Sequence, residues 1–381
     1  MTAYLDNAAT TMVCREAAEA ALNIMTENYG NPSSGHKMGR DAKKALDTAR
    51  EQVAKAMGAA PEEIFFTSCG SEGDNWAILS GAELCHRRGK HIISSQAEHS
   101  AVLKSLNLLE SRGYEVTRLK PEKDGRINVE AVLDALREDT ILVSLMLVNN
   151  ETGGITNISE ISKALKKSGS SALLHTDAVQ GFLKVPFSAK ALGADMISIS
   201  GHKIHAPKGI GALYIRGGEK ALNLSPLIIG GGQERGRRAG TEAMPQIAAF
   251  GVAAELGQKN FKASTDKMRE LKELATHRLC AENEGLLVLS GEAPHILSIS
   301  LPGYKSEVVM NFLEARGIYV SKSSACKKGG RSHVLEAVGH SPAVIDSALR
   351  IGLSCYTTVE EIHALCNGIA EARACIATVK R

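Results

Sequence analysis

The apolar residues of this chain fall into two rhythms. Short dense runs predict strands: Ile64-Phe65-Phe66-Thr67, His91-Ile92-Ile93-Ser94-Ser95, Ala172-Leu173-Leu174-His175-Thr176 and Asp195-Met196-Ile197-Ser198-Ile199-Ser200. The run from Ile141 to Val148 is apolar enough to be buried on both faces, as parallel strands are. Between the runs, apolar positions return at helical spacing. Ala42, Leu46, Ala49, Val53 and Met57 predict an amphipathic helix from about residue 40 to 57, and Val102, Leu103 and Leu106 predict another. Strand followed by helix, repeated, predicts an α/β fold: a mostly parallel sheet sandwiched by helices, with ligands bound along the carboxyl edge. Gly209 to Ile215 reads as an antiparallel partner strand. After about residue 257 the pattern changes to a long polar helix, with Met268, Leu271, Leu274 and Leu279 on one face. Strands at Ile296 to Leu301 and Ile318 to Ser321 follow, which predicts a second, smaller α+β domain.

Five predicted strand ends deliver chemistry-bearing residues to the same topological position: Ser71, His99, Asn150, Asp177 and Lys203. Lys203 follows Ser200-Gly201-His202, with a Gly/Pro-rich turn behind it. Alone it reads better as a surface lysine, as most lysines are; the other strand ends change that. Ser68-Cys69-Gly70-Ser71 joins a strand to a helix start, where free backbone N–H groups and the Ser71 hydroxyl can grip a phosphate. An ordinary N-cap serine gives the same pattern. Asp177 at a buried strand end needs a positive partner. The Gly230 to Thr241 loop, rich in glycine and arginine, suits an anion, a subunit contact or plain solvent.

Charge and composition narrow the field. Lys and Arg total 45 against 42 Asp and Glu, a net charge of +3 with the signs mixed, so no basic stripe points to nucleic acid. No run of about 18 apolar residues predicts a membrane span. The start, Met1-Thr2-Ala3-Tyr4-Leu5-Asp6, lacks the form of a signal peptide, and a cytoplasmic location is expected. Eight cysteines without a CxxC pair argue against a zinc site and against a disulfide framework; no metal is expected. Cys14, Cys85, Cys280, Cys366 and Cys375 lie in helix-like contexts that suggest inert packing. Cys326 is different: Lys322, Lys327, Lys328 and Arg331 surround it in sequence, and nearby cations favour a thiolate. Cys355 is the second candidate for a reactive thiol.

The ordered motifs together resemble the NifS/IscS-type cysteine desulfurases, within the class-V aminotransferase-like, fold-type I pyridoxal phosphate enzymes. The resemblance runs over nearly the whole chain. It is carried by Leu5-Asp6-Asn7-Ala8-Ala9-Thr10-Thr11, Tyr29-Gly30-Asn31-Pro32-Ser33-Ser34, Ala97-Glu98-His99-Ser100, Val148-Asn149-Asn150-Glu151, His175-Thr176-Asp177-Ala178-Val179-Gln180, Ser200-Gly201-His202-Lys203, Gly236-Arg237-Arg238-Ala239-Gly240-Thr241 and Ser324-Ala325-Cys326.

It implies a large cofactor-binding domain at 13–257, with a small domain from 1–12 and 258–381 carrying the cysteine loop. It implies that Lys203 holds pyridoxal 5'-phosphate as a Schiff base and that Asp177 pairs with the ring nitrogen. His99 would stack on the ring, and Gln180 would touch its phenolic oxygen. Gly70, Ser71, Ser200 and His202 would hold the phosphate, with Thr241 arriving from the other subunit of a homodimer. Asn150, Arg350 and Asn31 would hold the substrate, and Asn150 would also line the cofactor site. Cys326 would take sulfur from L-cysteine as a persulfide, leaving L-alanine, and pass it to an acceptor protein in iron–sulfur cluster assembly or tRNA thiolation. Other class-V activities, selenocysteine cleavage or transamination, are the nearest alternatives; a non-catalytic sulfur-carrier scaffold is the alternative from another class. The sequence departs from the family pattern at Cys69, where glycine is usual, at Ser71, where threonine is common, and in a slightly shorter loop after Cys326.

Overall fold

The structure is a computed structural model that describes residues 2–322 and 330–378. Its main body is a seven-stranded sheet in the order Ile64–Thr67, Gly211–Ile215, Met196–Ser200, Leu173–Asp177, Thr140–Ser144, His91–Ser95, Glu115–Leu119. The last five strands pair in parallel, while Gly211–Ile215 runs antiparallel to both of its neighbours. Successive residues point to opposite faces of a strand. Ile93, Val143, Leu174 and Ala212 therefore enter one core, and Ile92, Leu142, Leu173 and Leu213 another. Helices cover both faces. Arg15–Thr26, Lys37–Met57, Ile158–Lys167 and Met244–Lys259 close the first core, and Gly70–Cys85 and Ser100–Ser111 the second.

In the second core the Trp76 ring is fully buried edge-on to Phe65, and its indole N–H donates to the Ser225 carbonyl at 2.9 Å. Burial of an aromatic side chain of this kind contributes about 1.5–3 kcal/mol. The Lys37–Met57 helix buries all five residues of the predicted apolar stripe. It begins earlier than that stripe because its first turn is polar and is set by His36, whose Nδ1 accepts the Gly39 N–H; it stops at Gly58, in the left-handed conformation.

The run from Ile141 to Val148 is a strand only to Ser144. Beyond that point one flank keeps its ladder, with Leu145 and Leu147 N–H donating to the His175 and Asp177 carbonyls. On the other flank the Met146 N–H turns to the Glu98 carboxyl at 3.2 Å. Glu115–Leu119 was not evident in the hydrophobic pattern because it is a half-exposed edge strand.

A third core is built on a four-stranded antiparallel sheet, ordered Ser321–Lys322, Ala348–Gly352, Ile296–Ser300, Leu287–Val288. Phe261–Glu282 and Val359–Cys375 pack on it through Met268, Leu271, Ile362 and Leu365. Ala3 and Leu5 from the start of the chain join this core, and Ala3–Tyr4 pairs in parallel with Ile318–Tyr319. Among the cysteines read as packed, Cys85 and Cys366 are buried, but Cys280 and Cys375 are exposed. Their helical positions fall on outward faces, which spacing around a single cysteine does not reveal.

Candidate active site

The carboxyl ends of the large sheet open into a cavity of about 320 Å³. Lys203 enters it from a single 3₁₀ turn, Gly201–Lys203, that follows the Met196–Ser200 strand. Its Nζ donates to the carbonyls of Ala8 and Ala9, each at 2.7 Å. The segment carrying those carbonyls is fastened to the same turn. Thr11 donates through both its backbone N–H and its hydroxyl to the His202 carbonyl, at 2.9 and 3.0 Å.

One wall is the start of the Gly70–Cys85 helix, with Cys69 extended at the N-cap. Gly70 is pressed on Val179, where a Cβ would lie 2.6 Å from Cγ2. Ser71 sits in the first turn, where helix N–H groups have no intrahelical acceptor. Opposite stands Ser200, whose buried hydroxyl has no hydrogen-bond partner. His202 bonds to the Thr10 hydroxyl at 3.2 Å; burial, and then the charges of Lys203 and Lys208, push it down to about 4, so it is a neutral imidazole at neutral pH. A helix N-terminus, hydroxyls and a neutral imidazole are groups of the kind that bind phosphates, and here they line one cavity.

The floor carries carboxyls. Burial pushes Asp177 up from the ordinary carboxylate range, against the opposing pull of His99, the Val179 N–H and Lys203. The Val179 N–H reaches its Oδ1 at 2.9 Å. His99 caps the Ser100–Ser111 helix, its Nδ1 accepting the Ala101 N–H at 3.2 Å. Behind it Glu98 is buried and pushed up to about 8, despite the Ser95 hydroxyl and Met146 N–H that bond to it. Gln180 is spanned by two contacts: its Nε2 donates to the Ala8 carbonyl at 2.9 Å, and its Oε1 lies 3.2 Å from His295 Nε2.

The mouth is formed where the smaller sheet meets the large one. Arg350, on the Ala348–Gly352 strand, is 3% exposed, donates to the Asn150 carbonyl at 2.9 Å and lies 3.2 Å from an Asp6 carboxyl oxygen. Its Nε is buried without a partner. Glu151 is bonded by the Ser332 hydroxyl; burial pushes it up to about 7, with that hydroxyl and Arg350 opposing.

Gly70, Ser71, His99, Asn150, Asp177, Gln180, Ser200, His202, Lys203 and Arg350 all line this one cavity; Ser71, His99, Asn150, Asp177 and Lys203 are read from strand ends, the others only from the resemblance. Asn31 and Thr241 are exposed and are not part of its lining in this chain. Cys326 lies outside the described residues. Cys355 is half-buried, its sulfur 3.7 Å from His205 Nε2. Sequence reasoning missed Asp74, Glu151 and His333, which also line the cavity, and Asp6, which holds Arg350. Asp74 had a usable signal, since it lies one helical turn beyond Ser71 and so faces the same side.

A class-V aminotransferase family profile matches residues 3–365. Cysteine desulfurase from a Nostoc species is 43% identical over 364 residues, covering 94% of this chain and 90% of the relative. Cysteine desulfurase IscS of Methanosarcina thermophila is 42% identical over 379 residues, covering 97% and 91%. The solved structure of a NifS-like protein superposes with a TM-score of 0.93 at 37% identity, over 99% of this chain and 100% of that one.

Proposed function

This chain belongs to the class-V aminotransferase family and is a cysteine desulfurase, and from that premise we propose that its cavity uses pyridoxal 5'-phosphate on Lys203 to convert L-cysteine to L-alanine, with the sulfur passing to Cys326. The observation that carries the reading is the convergence of Lys203, Asp177, His99 and Arg350 on one cavity.

The residues present fit the cofactor. Ser200 offers an unsatisfied buried hydroxyl to a phosphate, beside the Gly70–Ser71 helix start and the neutral His202. Asp177, buried near His99 and Lys203, would pair with a protonated ring nitrogen. His99, at the edge of the cavity, would cover the ring. When bound, the cofactor supplies an electron sink for the substrate α-carbon.

The remaining work falls to side chains of this chain. Lys203 would anchor the cofactor, and its amine would carry the α-proton. Arg350 holds the substrate carboxylate, exchanging the Asp6 contact for it, and its unsatisfied Nε supplies a further donor. The Cys326 thiolate attacks the substrate sulfur and the carbon–sulfur bond breaks. Protonation of the carbon gives L-alanine and leaves a persulfide for an acceptor protein. Thr241, exposed in one chain, fits a role in the neighbouring subunit of a homodimer. Exposed Leu22, Met25 and Tyr29 support such a contact. No helix among the described residues is long and apolar enough to cross a membrane.

Incubation of the purified chain with the cofactor and L-cysteine tests this reading. Equal amounts of alanine and protein-bound sulfane sulfur are expected, with borohydride fixing the cofactor to the Lys203 peptide. Alanine formation that persists at the wild-type rate in Cys326→Ser would overturn the role of the thiol.

A further inference from the structure

Asp74 has no part in the chemistry described so far, yet it is 1% exposed and lines the same cavity. It projects from the Gly70–Cys85 helix toward the sheet, where the Ser198 hydroxyl bonds to it. Its Oδ1 is buried without a hydrogen-bond partner, 3.6 Å from His175 Nε2. One polar side-chain atom from each of Asp74, His99 and Asp177 lies within 4.8 Å of the other two.

Two carboxyls this close in a dry site do not both ionise, because each negative charge raises the cost of the other. The surroundings decide which keeps the proton. Asp177 has His99, Lys203 and the Val179 N–H on its side. Asp74 has one hydroxyl and His175, and burial pushes that histidine down to about 3, so it is neutral. The His175 ring is also engaged on both nitrogens, by the Ser144 hydroxyl at 2.9 Å and the Ser198 hydroxyl at 3.0 Å. The other titratable groups near Asp74 are Glu98, itself pushed up to about 8, Cys69, and His99, which lies within 4.8 Å of both carboxyls but pulls on Asp177. Glu98 and Cys69 supply no positive charge.

We propose that Asp74 is a positioning acid: it keeps its proton and thereby confines the single negative charge of the carboxyl pair to Asp177, the position from which it can meet a cationic ring nitrogen. This inference rests on reading the cavity as the pyridoxal phosphate site. An ionised Asp74 would draw the ring nitrogen's proton toward the wrong carboxylate.

Infrared difference spectra of the cofactor-free chain at neutral pH read the proton directly. A protonated-carboxyl C=O band is expected that Asp74→Asn removes and Glu98→Gln does not. In titrations with pyridoxal phosphate followed by absorbance, Asp74→Asn replaces a neutral acid by a neutral amide of the same shape and should hold affinity within about threefold. Asp74→Ala, equally uncharged, leaves a void beside Asp177 and should lose roughly tenfold. The wild-type absorbance should also change on the alkaline side as Asp74 ionises, a change that Asp74→Asn lacks. A spectrum in which Asp74→Asn removes no band overturns the proposal, as does an Asn variant that binds as poorly as the Ala variant. Should Asp74→Ala fail to fold, the Asn variant and the infrared band decide alone. The band present in a chain that binds no cofactor would uphold Asp74's proton and reject the reading of the cavity instead.

Discussion

Arg350 lies 3.2 Å from Asp6, a contact that ties the smaller sheet to the chain's first turn and holds the guanidinium at the cavity mouth. The fork is partly spent on Asp6 and the Asn150 carbonyl, and on the proposed reading an incoming carboxylate would displace the first and keep the second. Arg350→Ala should raise KM for L-cysteine by roughly tenfold to a hundredfold, as loss of a charge-assisted hydrogen bond does. Arg350→Lys should not restore it, because a point charge cannot present two parallel donors. Steady-state alanine formation measures both, and a lysine variant with wild-type KM would reject the fork.

Gly70 has no room for a side chain. A methyl group there would meet Val179 Cγ2 at 2.6 Å and Ser200 Cβ at 3.5 Å. Gly70→Ala is expected to weaken pyridoxal phosphate binding by pushing Val179 or Ser200 out of place. Adding Val179→Ala should recover most of the loss, which absorbance titration of the single and double variants reads.

Ser200 should show opposite signs in the two states of the protein. Its buried hydroxyl has no partner, so Ser200→Ala removes an unsatisfied polar group and should leave the cofactor-free chain as stable or about 1 kcal/mol more stable. The same variant should bind pyridoxal phosphate more weakly. Denaturant unfolding with and without cofactor measures the pair, and a destabilised apo variant would contradict the account.

Glu98 predicts a pH dependence. Burial raises its folded-state value from the usual 4.5 to about 8, so the native chain holds a proton there that the unfolded chain has lost. Stability from this group therefore falls as pH rises through that window and is fully lost above it. Glu98→Gln keeps the acceptor for Ser95 and Met146 but cannot ionise. Its Tm relative to wild type should climb between about pH 5 and pH 8, by an amount worth a few kcal/mol at the upper end. Equal pH profiles for the two proteins would show that Glu98 stays ionised.

The arrangement of the sheet was readable because each buried strand is a dense apolar run and each ends on a polar residue that burial alone would not place there. Asp177 and Lys203 stood out for that reason. Glu115–Leu119 was hidden by its exposed edge, and Ala348–Gly352 by the arginine in its middle, which looks unlike a central strand until Asp6 and Asn150 are seen to satisfy it. Asp74 and Glu151 escaped notice because acidic residues early in a helix or loop are normally solvated. Their burial comes from neighbours distant in sequence, Asp177 for one and Ser332 for the other.

The strap from Ala3 to Thr11 has a mechanical consequence. Its first residues are stitched to Ile318–Tyr319 and Gly352, and its last ones grip the turn that carries the amine. A rigid shift of the smaller sheet would therefore tug on the very backbone oxygens that cradle Nζ. Opening the mouth and loosening the lysine become one motion, with nine residues acting as its tendon.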